Sequence, residues 1–220
     1  MKVDILYSDD DILVVNKPAG VPVHPSPGYE TGALTEVLVE KFPQMRGVGS
    51  RERPGVVHRL DVETSGVMVF ALTQAAYLKL RTLFEGHVDV KKTYLAVLHG
   101  SPRGRKGTLD TLIGKRADKK RMKVVEPGGR GQRAVTHWEV LSSQGGVSLV
   151  EFRIETGRTH QIRVHAAHLG HPVLGDRLYG VKDRAPRLLL HAVQLEFPHP
   201  TTGRWLCFAA EPPPEIVYAR

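Results

Sequence analysis

The sequence has little cysteine and no long apolar run. Cys207 is the one cysteine among 220 residues, so no internal disulfide can form. That favours a reducing compartment and excludes a disulfide-stapled secreted scaffold. No apolar run approaches the roughly 20 residues of a membrane-spanning helix, and Met1–Asp4 lacks the apolar stretch of a signal peptide. We therefore expect a cytoplasmic protein with no membrane association.

Aromatic residues are also few, at 6%, but hydrophobic residues make up 41% and charged residues 25%. These proportions are ordinary for a globular protein and exclude wholesale disorder. A chain of this length buries roughly 70% of its unfolded surface, so its core needs no metal. Because no linker, repeat or low-complexity stretch divides the sequence, we expect a single domain over residues 1–220 and a monomer.

Acidic residues are outnumbered, with 23 against 31 Lys and Arg, which gives a net charge of +8. The whole excess lies in residues 103–133, which hold eleven basic residues, three acidic residues and six glycines. A basic, Gly-rich segment predicts an exposed β-ribbon or loop that lies against the phosphates of a polyanion. A solvated surface hairpin is the alternative.

The apolar pattern predicts many short strands, with a buried strand at Val67–Leu72. Helical spacing predicts helices over Thr31–Phe42, from Thr73 to Gly86 and over Thr159–Leu169. Thr73 and Thr159 are the expected N-caps of the last two. Since βαβ alternation is rare, we expect an α+β fold on a mainly antiparallel mixed sheet with flanking helices.

Asp61 is a candidate catalytic carboxylate. It follows His58, Arg59 and Leu60 and precedes Thr64–Gly66. A carboxylate beside an arginine in a tight loop fits a held nucleophile. An aspartate that caps the turn through neighbouring amides fits slightly better on these residues alone.

The stretch from His58 to Gly66 resembles a signature of the RluA-type pseudouridine synthases. Other stretches resemble the same family in the expected order: Val14–Gly20, Lys92–Ala96, Glu155–His165, His171–Asp176 and Leu190–Ala192. One such match would be weak, whereas this ordered set spans almost the whole chain. The resemblance implies the pseudouridine synthase fold, with a central catalytic cleft.

It also implies isomerisation of specific uridines to pseudouridine in ribosomal RNA, transfer RNA or both. The reaction breaks the bond from ribose to a base nitrogen, rotates the base and rejoins it through carbon 5. Atoms lost and gained balance, so we expect no redox cofactor, metal or nucleotide cofactor. The shared motifs do not distinguish the RNA targets.

The resemblance assigns the catalytic role to Asp61 and implies Arg163 as the cation that keeps this carboxylate ionised. A stacked uridine must be flipped out before it can react. The resemblance assigns to Arg59 the task of taking the place of the base, although a phosphate contact is an alternative for it.

Tyr94 matches the active-site tyrosine of the family, which offers a stacking platform and can help to remove the proton from carbon 5. Ile162 and Leu190 are candidate walls of the uracil pocket, although core packing explains both equally well. Arg158 and His160 lie in the second signature and are candidate substrate contacts. Four cations of the basic segment are the expected RNA-backbone contacts: Lys119, Lys120, Arg121 and Lys123.

Three other interpretations are less well supported. The histidines at 160, 165, 168 and 171 suggest a metallohydrolase, but no HExxH motif or paired cysteines accompany them. Asp61 and Glu63 suggest a two-carboxylate glycosidase, for which nothing else speaks. The third interpretation is a non-catalytic RNA-binding protein on the same fold. The presence of Asp61, Tyr94 and Arg163 together argues against it, because RNA binding alone does not require these three residues in combination. Many relatives carry an RNA-binding domain ahead of the catalytic one, and we expect none here because the first motif starts near Val14.

Overall fold

The computed structural model describes residues 1–86, 89–117, 121–126 and 128–217. Its helices are α1 (Leu34–Lys41), α2 (Gln74–Gly86), α3 (Gln161–His168) and α4 (Pro214–Val217), with a 3-10 helix at Pro43–Gly47. The strands are β1 (Asp4–Ser8), β2 (Ile12–Lys17), β3 (Gly49–Ser50), β4 (Arg53–Pro54), β5 (Ser65–Ala71), β6 (Lys91–His99), β7 (Lys106–Lys115), β8 (Met122–Val125), β9 (Gln132–Gln144), β10 (Val147–Ile154), β11 (Leu190–Pro198) and β12 (Trp205–Ala209).

The chain divides into two compact units. Unit 1 contains Met1–Lys91 and Ala192–Glu211, and unit 2 contains Lys92–His191 and Pro212–Arg220. Both combine antiparallel strands with helices, which confirms the predicted α+β fold with its mainly antiparallel sheet. The single domain over residues 1–220 stays a prediction.

In unit 1 the strand order is β1-β2-β5-β11, with β12 paired to β11. Strands β2 and β5 each contain an apolar run and are buried almost throughout, as such runs are in the middle of a sheet. Gly66 has φ of 120°, and a Cβ there would collide with the backbone of Ala192. The capping prediction for α2 is confirmed, because Ala76 N–H donates to Thr73 Oγ1 at 3.2 Å.

In unit 2 the strand order is β6-β10-β9-β7-β8, and each neighbouring pair is antiparallel. One apolar cluster gathers Val97, Leu189 and Ile216. A second gathers Ile113, Ala134 and Val164, which joins α3 to β7 and β9. This second cluster brings the helix of the Glu155–His165 motif onto the sheet.

The predicted start of α3 is wrong. The helix begins at Gln161 and not after a Thr159 cap, because His160 takes a left-handed conformation with φ of 56°. This conformation is uncommon for a residue with a Cβ and needs support from its surroundings. A hydrogen bond from the His160 ring to Tyr179 supplies part of that support.

The basic segment forms the predicted β-ribbon. Strand β7 pairs with β8, from Leu112 opposite Val125 to Lys115 opposite Met122, and with β9 on its other side. Arg116 N–H donates to Arg121 O at 2.8 Å, next to the pairing of Lys115 with Met122. Lys119 and Lys120, two of the expected RNA contacts, lie outside the described residues.

Within the described ranges, no helix combines the length and the apolar character that crossing a bilayer requires.

Candidate active site

Asp61 lies in unit 1 in a loop that three backbone and side-chain bonds shape. Thr64 N–H donates to Asp61 O at 3.1 Å and closes a tight turn before β5. Val62 O accepts from Gly20 N–H at 2.9 Å and from Lys17 Nζ at 3.0 Å. The loop is therefore tied to the turn of the Val14–Gly20 motif, which fixes the backbone directly after the carboxylate.

Lys17 is a buried ammonium, 0% exposed, that the sequence analysis assigned to no function. Besides Val62 O it donates to Pro18 O and Val21 O, both at 2.8 Å. Three carbonyls around one ammonium satisfy a charge that would otherwise be costly to bury. The one feature of the sequence that pointed to a role for Lys17 is its place in the Val14–Gly20 motif. That motif does not reveal that Lys17 contacts Val62 O, 45 residues further along the chain.

We expect Lys17→Met to lower the free energy of unfolding by about 1–3 kcal/mol, because the carbonyls of Pro18, Val21 and Val62 each lose a hydrogen bond from the ammonium. It is also expected to lower turnover, since Val62 is then held less firmly beside Asp61. Urea denaturation and initial rates measure the two effects. Lys79→Met, on an exposed face of α2, is the matched control and should change neither. Unaltered stability of the Lys17 variant would show that the carbonyls find other donors.

Two residues shortly before Asp61 differ in exposure, since His58 is half-buried and Arg59 is exposed. His58 stacks on Phe84 with ring centroids 4.4 Å apart, and its Nε2 accepts from Val69 N–H at 3.1 Å. Arg59 is exposed. Burial lowers the pKa of nearby His24, and the positive charges of Arg53 and Arg59 lower it further. The positive charges of Arg53 and Arg59 therefore both act at His24, where the negative charge of Glu52 opposes them.

In unit 2 the turn before α3 is organised by Gln161, which is buried. Its Oε1 accepts from Thr156 Oγ1 at 2.7 Å and from Arg158 N–H at 3.0 Å. Its Nε2 donates to Val135 O and Thr136 Oγ1, both at 2.9 Å. One amide thus fastens the turn to β9 and positions Arg158 and His160. The sequence analysis gave Gln161 no role.

Arg163 and Asp176 form a buried ion pair that the sequence analysis missed. Arg163 Nε donates to Asp176 Oδ2 at 2.8 Å, and Nη2 donates to Oδ1 at 2.9 Å. Burial raises the pKa of Asp176, but the hydrogen bonds and charge of Arg163 outweigh it and hold that pKa below its usual range. The two-point contact fixes the plane of the guanidinium. The predicted pairing of Arg163 with Asp61 stays a prediction.

Three further predicted site residues of unit 2 are buried, namely Tyr94, Ile162 and Leu190. Tyr94 is 8% exposed on β6, opposite Phe152 of β10. Ile162 on α3 and Leu190 at the start of β11 are buried as well. Lys92 lies two residues before Tyr94 on the same face of β6, and burial and the charge of Arg158 lower its pKa to about 8.

His165 is fully buried and bonds to two hydroxyls, Thr111 Oγ1 at 2.9 Å and Thr136 Oγ1 at 2.8 Å. Burial, with a smaller effect of the charge on His168, lowers its pKa to about 4. The ring is therefore a neutral structural link between α3 and the sheet. His171, another of the four histidines, bonds instead to His99 O at 2.8 Å.

The pKa of His165 predicts a loss of stability on mild acidification. The unfolded imidazole has an ordinary pKa of about 6.5, so between pH 6.5 and 4 the unfolded chain binds a proton that the folded chain does not. The free energy of unfolding should therefore fall by about 1–3 kcal/mol across that window. Urea titrations at pH 7, 6, 5 and 4.5 measure it. His165→Gln should show a shallower fall, and an identical pH dependence in both proteins would contradict the assignment.

The chain matches a family model described as RNA pseudouridylate synthase over residues 11–168. An uncharacterized RNA pseudouridine synthase of Synechocystis sp. is 40% identical over 226 residues, covering 99% of this chain and 69% of that protein. The ribosomal large subunit pseudouridine synthase D of Zymomonas mobilis is 38% identical over 224 residues, covering 97% and 70%. The solved structure of human RNA pseudouridylate synthase domain containing 4 is similar with a TM-score of 0.78 and 30% identity, covering 97% and 90%.

The matched range contains the Asp61 loop, Tyr94 and the Arg158–Arg163 segment. The family model matches most of the chain, and the relatives cover almost all of it. Both findings agree with the family resemblance that the ordered motifs indicate. The chain belongs to the RNA pseudouridylate synthase family, whose members are isomerases that convert uridine in RNA to pseudouridine.

Proposed function

We propose that the chain isomerises specific uridines in ribosomal RNA, transfer RNA or both, with Asp61 as the catalytic carboxylate, after flipping the base out. The observation that carries the proposal is the construction of the Asp61 loop. Val62 O accepts both from Lys17 Nζ and from Gly20 N–H. A carboxylate that attacks or deprotonates one atom of a nucleoside must be aimed, and this loop is built to hold its backbone still.

Tyr94 is the proposed stacking platform and proton acceptor at carbon 5, and Arg163 the proposed guanidinium of the site. Burial of Tyr94 in β6 and the two bonds from Arg163 to Asp176 support these roles, because each side chain is held in one orientation. Ile162 and Leu190 are the proposed apolar walls. The proton that leaves carbon 5 is balanced by the one gained at the freed ring nitrogen, so the proposed reaction needs no added cofactor.

Arg59 is the proposed side chain that takes the place of the flipped base. Its exposure, two residues before Asp61, and its own positive charge support this role. Filling the vacated position recovers part of the few kcal/mol that unstacking costs. Arg158 and His160 are proposed to contact the same substrate, since Gln161 and Tyr179 hold the turn that carries them.

The basic segment 103–133 is the proposed grip on the RNA backbone. Its exposed β-ribbon and its net charge of +8 support this role, because cations near phosphates release condensed counterions. The name of the Zymomonas mobilis relative points to the large ribosomal subunit as one target. We further propose that the protein acts as a monomer in the cytoplasm, since one chain supplies every group named here and these RNAs are used there.

The test is pseudouridine formation by the purified chain on transcribed large-subunit ribosomal RNA fragments and transfer RNAs. Carbodiimide mapping and mass spectrometry of RNA deuterated at carbon 5 of uridine detect the product and the lost proton. The expected result is conversion at one or a few positions. Tight RNA binding without pseudouridine in any transcript would instead indicate a non-catalytic RNA-binding protein.

A further inference from the structure

Unit 2 contains a cavity of about 390 Å³ between β8, α3 and the segment after Asp176. None of the residues that carry the proposed chemistry at Asp61, Tyr94 or Arg163 lines it. Its volume lies within the range of roughly 300–1,000 Å³ that is typical of small-ligand sites. The cavity is thus large enough for a compact group of one nucleotide's size.

The floor of the cavity is apolar. Six side chains supply it: Met122, Val124, Val164, Ala167, Leu178 and Tyr179. Val164 is buried and the others are half-buried, so apolar side chains line the part of the cavity nearest the protein interior. A surface of this kind accepts the face of a nucleobase, and contacts with an aromatic ring are worth roughly tenfold in affinity or more.

The rim of the cavity is cationic. Arg116 and Lys123 are exposed on the ribbon, Arg121 is half-buried beside them, and His168 is exposed at the end of α3. None of the described residues that line the cavity is acidic. An apolar floor under a positive rim matches the two halves of a nucleotide, its base and its phosphate.

Tyr179 connects this cavity with the second signature motif. Its hydroxyl accepts from Met122 N–H and bonds to His160 Nδ1, both at 2.8 Å. The guanidinium of Arg163 lies 5.2 Å from the centre of its ring. A ligand against Tyr179 therefore touches the same rigid group that orients His160 and Arg163, which favours a segment of the substrate RNA as the occupant.

We propose that the cavity binds one unstacked nucleotide of the RNA substrate, with its base on the apolar floor and its phosphate at the cationic rim. This inference rests on the proposed function, since it takes RNA as the ligand. The site is separate from the uridine that reacts, and it contributes to the choice of RNA.

The test measures binding of a fluorescein-labelled, mixed-sequence 12-nucleotide single-stranded RNA by anisotropy at several KCl concentrations. Ala167→Leu fills the cavity without changing charge and should weaken RNA binding about tenfold, with the salt dependence unaltered. Inorganic polyphosphate of about twelve units serves as competitor and has no bases. Its affinity should be the same for Ala167→Leu and the unsubstituted protein.

The rim is tested with the double variant Arg116→Gln and Lys123→Gln against a matched control, Lys115→Gln and Arg130→Gln. The control removes the same charge from exposed residues of the same ribbon that do not line the cavity. The rim variant should lose at least fivefold more RNA affinity than the control. Because the rim residues are exposed, their replacement is not expected to disturb folding. The comparison of rim and control variants therefore tests the proposal even if thermal unfolding shows that Ala167→Leu is misfolded.

Three results would overturn the proposal: RNA affinity unchanged in Ala167→Leu, an equal loss for polyphosphate, or equal losses in the rim and control variants. Pseudouridine formation by the unsubstituted protein is assayed in parallel. If pseudouridine forms while the cavity variants bind normally, the cavity proposal alone fails. If the cavity variants lose RNA as expected but no pseudouridine forms, the proposed isomerase function fails instead.

Discussion

Asp61→Asn is expected to lower pseudouridine formation by about a thousandfold or more, while RNA affinity stays within a few fold of the unsubstituted protein. Asparagine has nearly the same shape but neither attacks a carbon nor accepts a proton as a carboxylate does. Removal of a nucleophile from a preorganised site costs orders of magnitude in turnover and little in binding. Single-turnover assays with excess protein measure the chemical step directly.

Glu63→Gln is the matched control for this variant. Glu63 is exposed two residues away in the same loop, so its replacement removes the same charge from the same segment. It should retain turnover within about twofold. Comparable inactivity of both variants would favour a two-carboxylate mechanism, and full activity of Asp61→Asn would mean that another group performs the chemistry.

Asp176→Asn is expected to lower the free energy of unfolding by about 3–5 kcal/mol. The side chain of Asp176 is 0% exposed and that of Arg163 is 9% exposed, so the substitution removes the negative charge from a buried two-point pair while the guanidinium keeps its positive charge. The asparagine oxygen can still accept the backbone bonds from Leu178 and Tyr179. The loss therefore reports the missing charge and not a collapsed turn.

Arg133 and Asp110 supply a matched control, because they form the same two-point contact at the surface. Their side chains are 65% and 48% exposed, and the closest contact is 2.6 Å. Asp110→Asn should lower the free energy of unfolding far less than Asp176→Asn does, because water screens the charges of an exposed pair. Urea denaturation of both variants compares a buried with an exposed pair, and equal costs would contradict a special role for burial.

The depressed pKa of Asp176 also sets the pH window of this pair. Its stabilisation is fully present above the unfolded pKa of about 3.9 and is lost as the pH falls through the lower folded value. This window lies below the one expected for His165, so titration from pH 7 to 3 separates the two. Asp176→Asn should lose the step below pH 4 and keep the one above it.

The fold class, the basic ribbon and the positions of the motifs followed from local features of the sequence. The Thr73 cap predicted the start of α2, and the apolar run at Val67–Leu72 predicted β5. Both features depend only on residues within a few positions of one another. The charge excess of residues 103–133 predicted an exposed ribbon for the same reason, since charge density is a local property that folding does not alter.

The supporting contacts did not follow from the sequence. Lys17 finds Val62 O 45 residues away, Gln161 finds Val135 O 26 residues back, and Arg163 finds Asp176 13 residues on. The start of α3 was predicted wrongly because the left-handed His160 directly precedes Gln161, so the helix does not begin after a Thr159 cap. The residues of the proposed chemistry could thus be named from the order of motifs alone. Which groups hold them could be decided only in the folded chain, because buried polar groups take whichever partner the packing brings within reach.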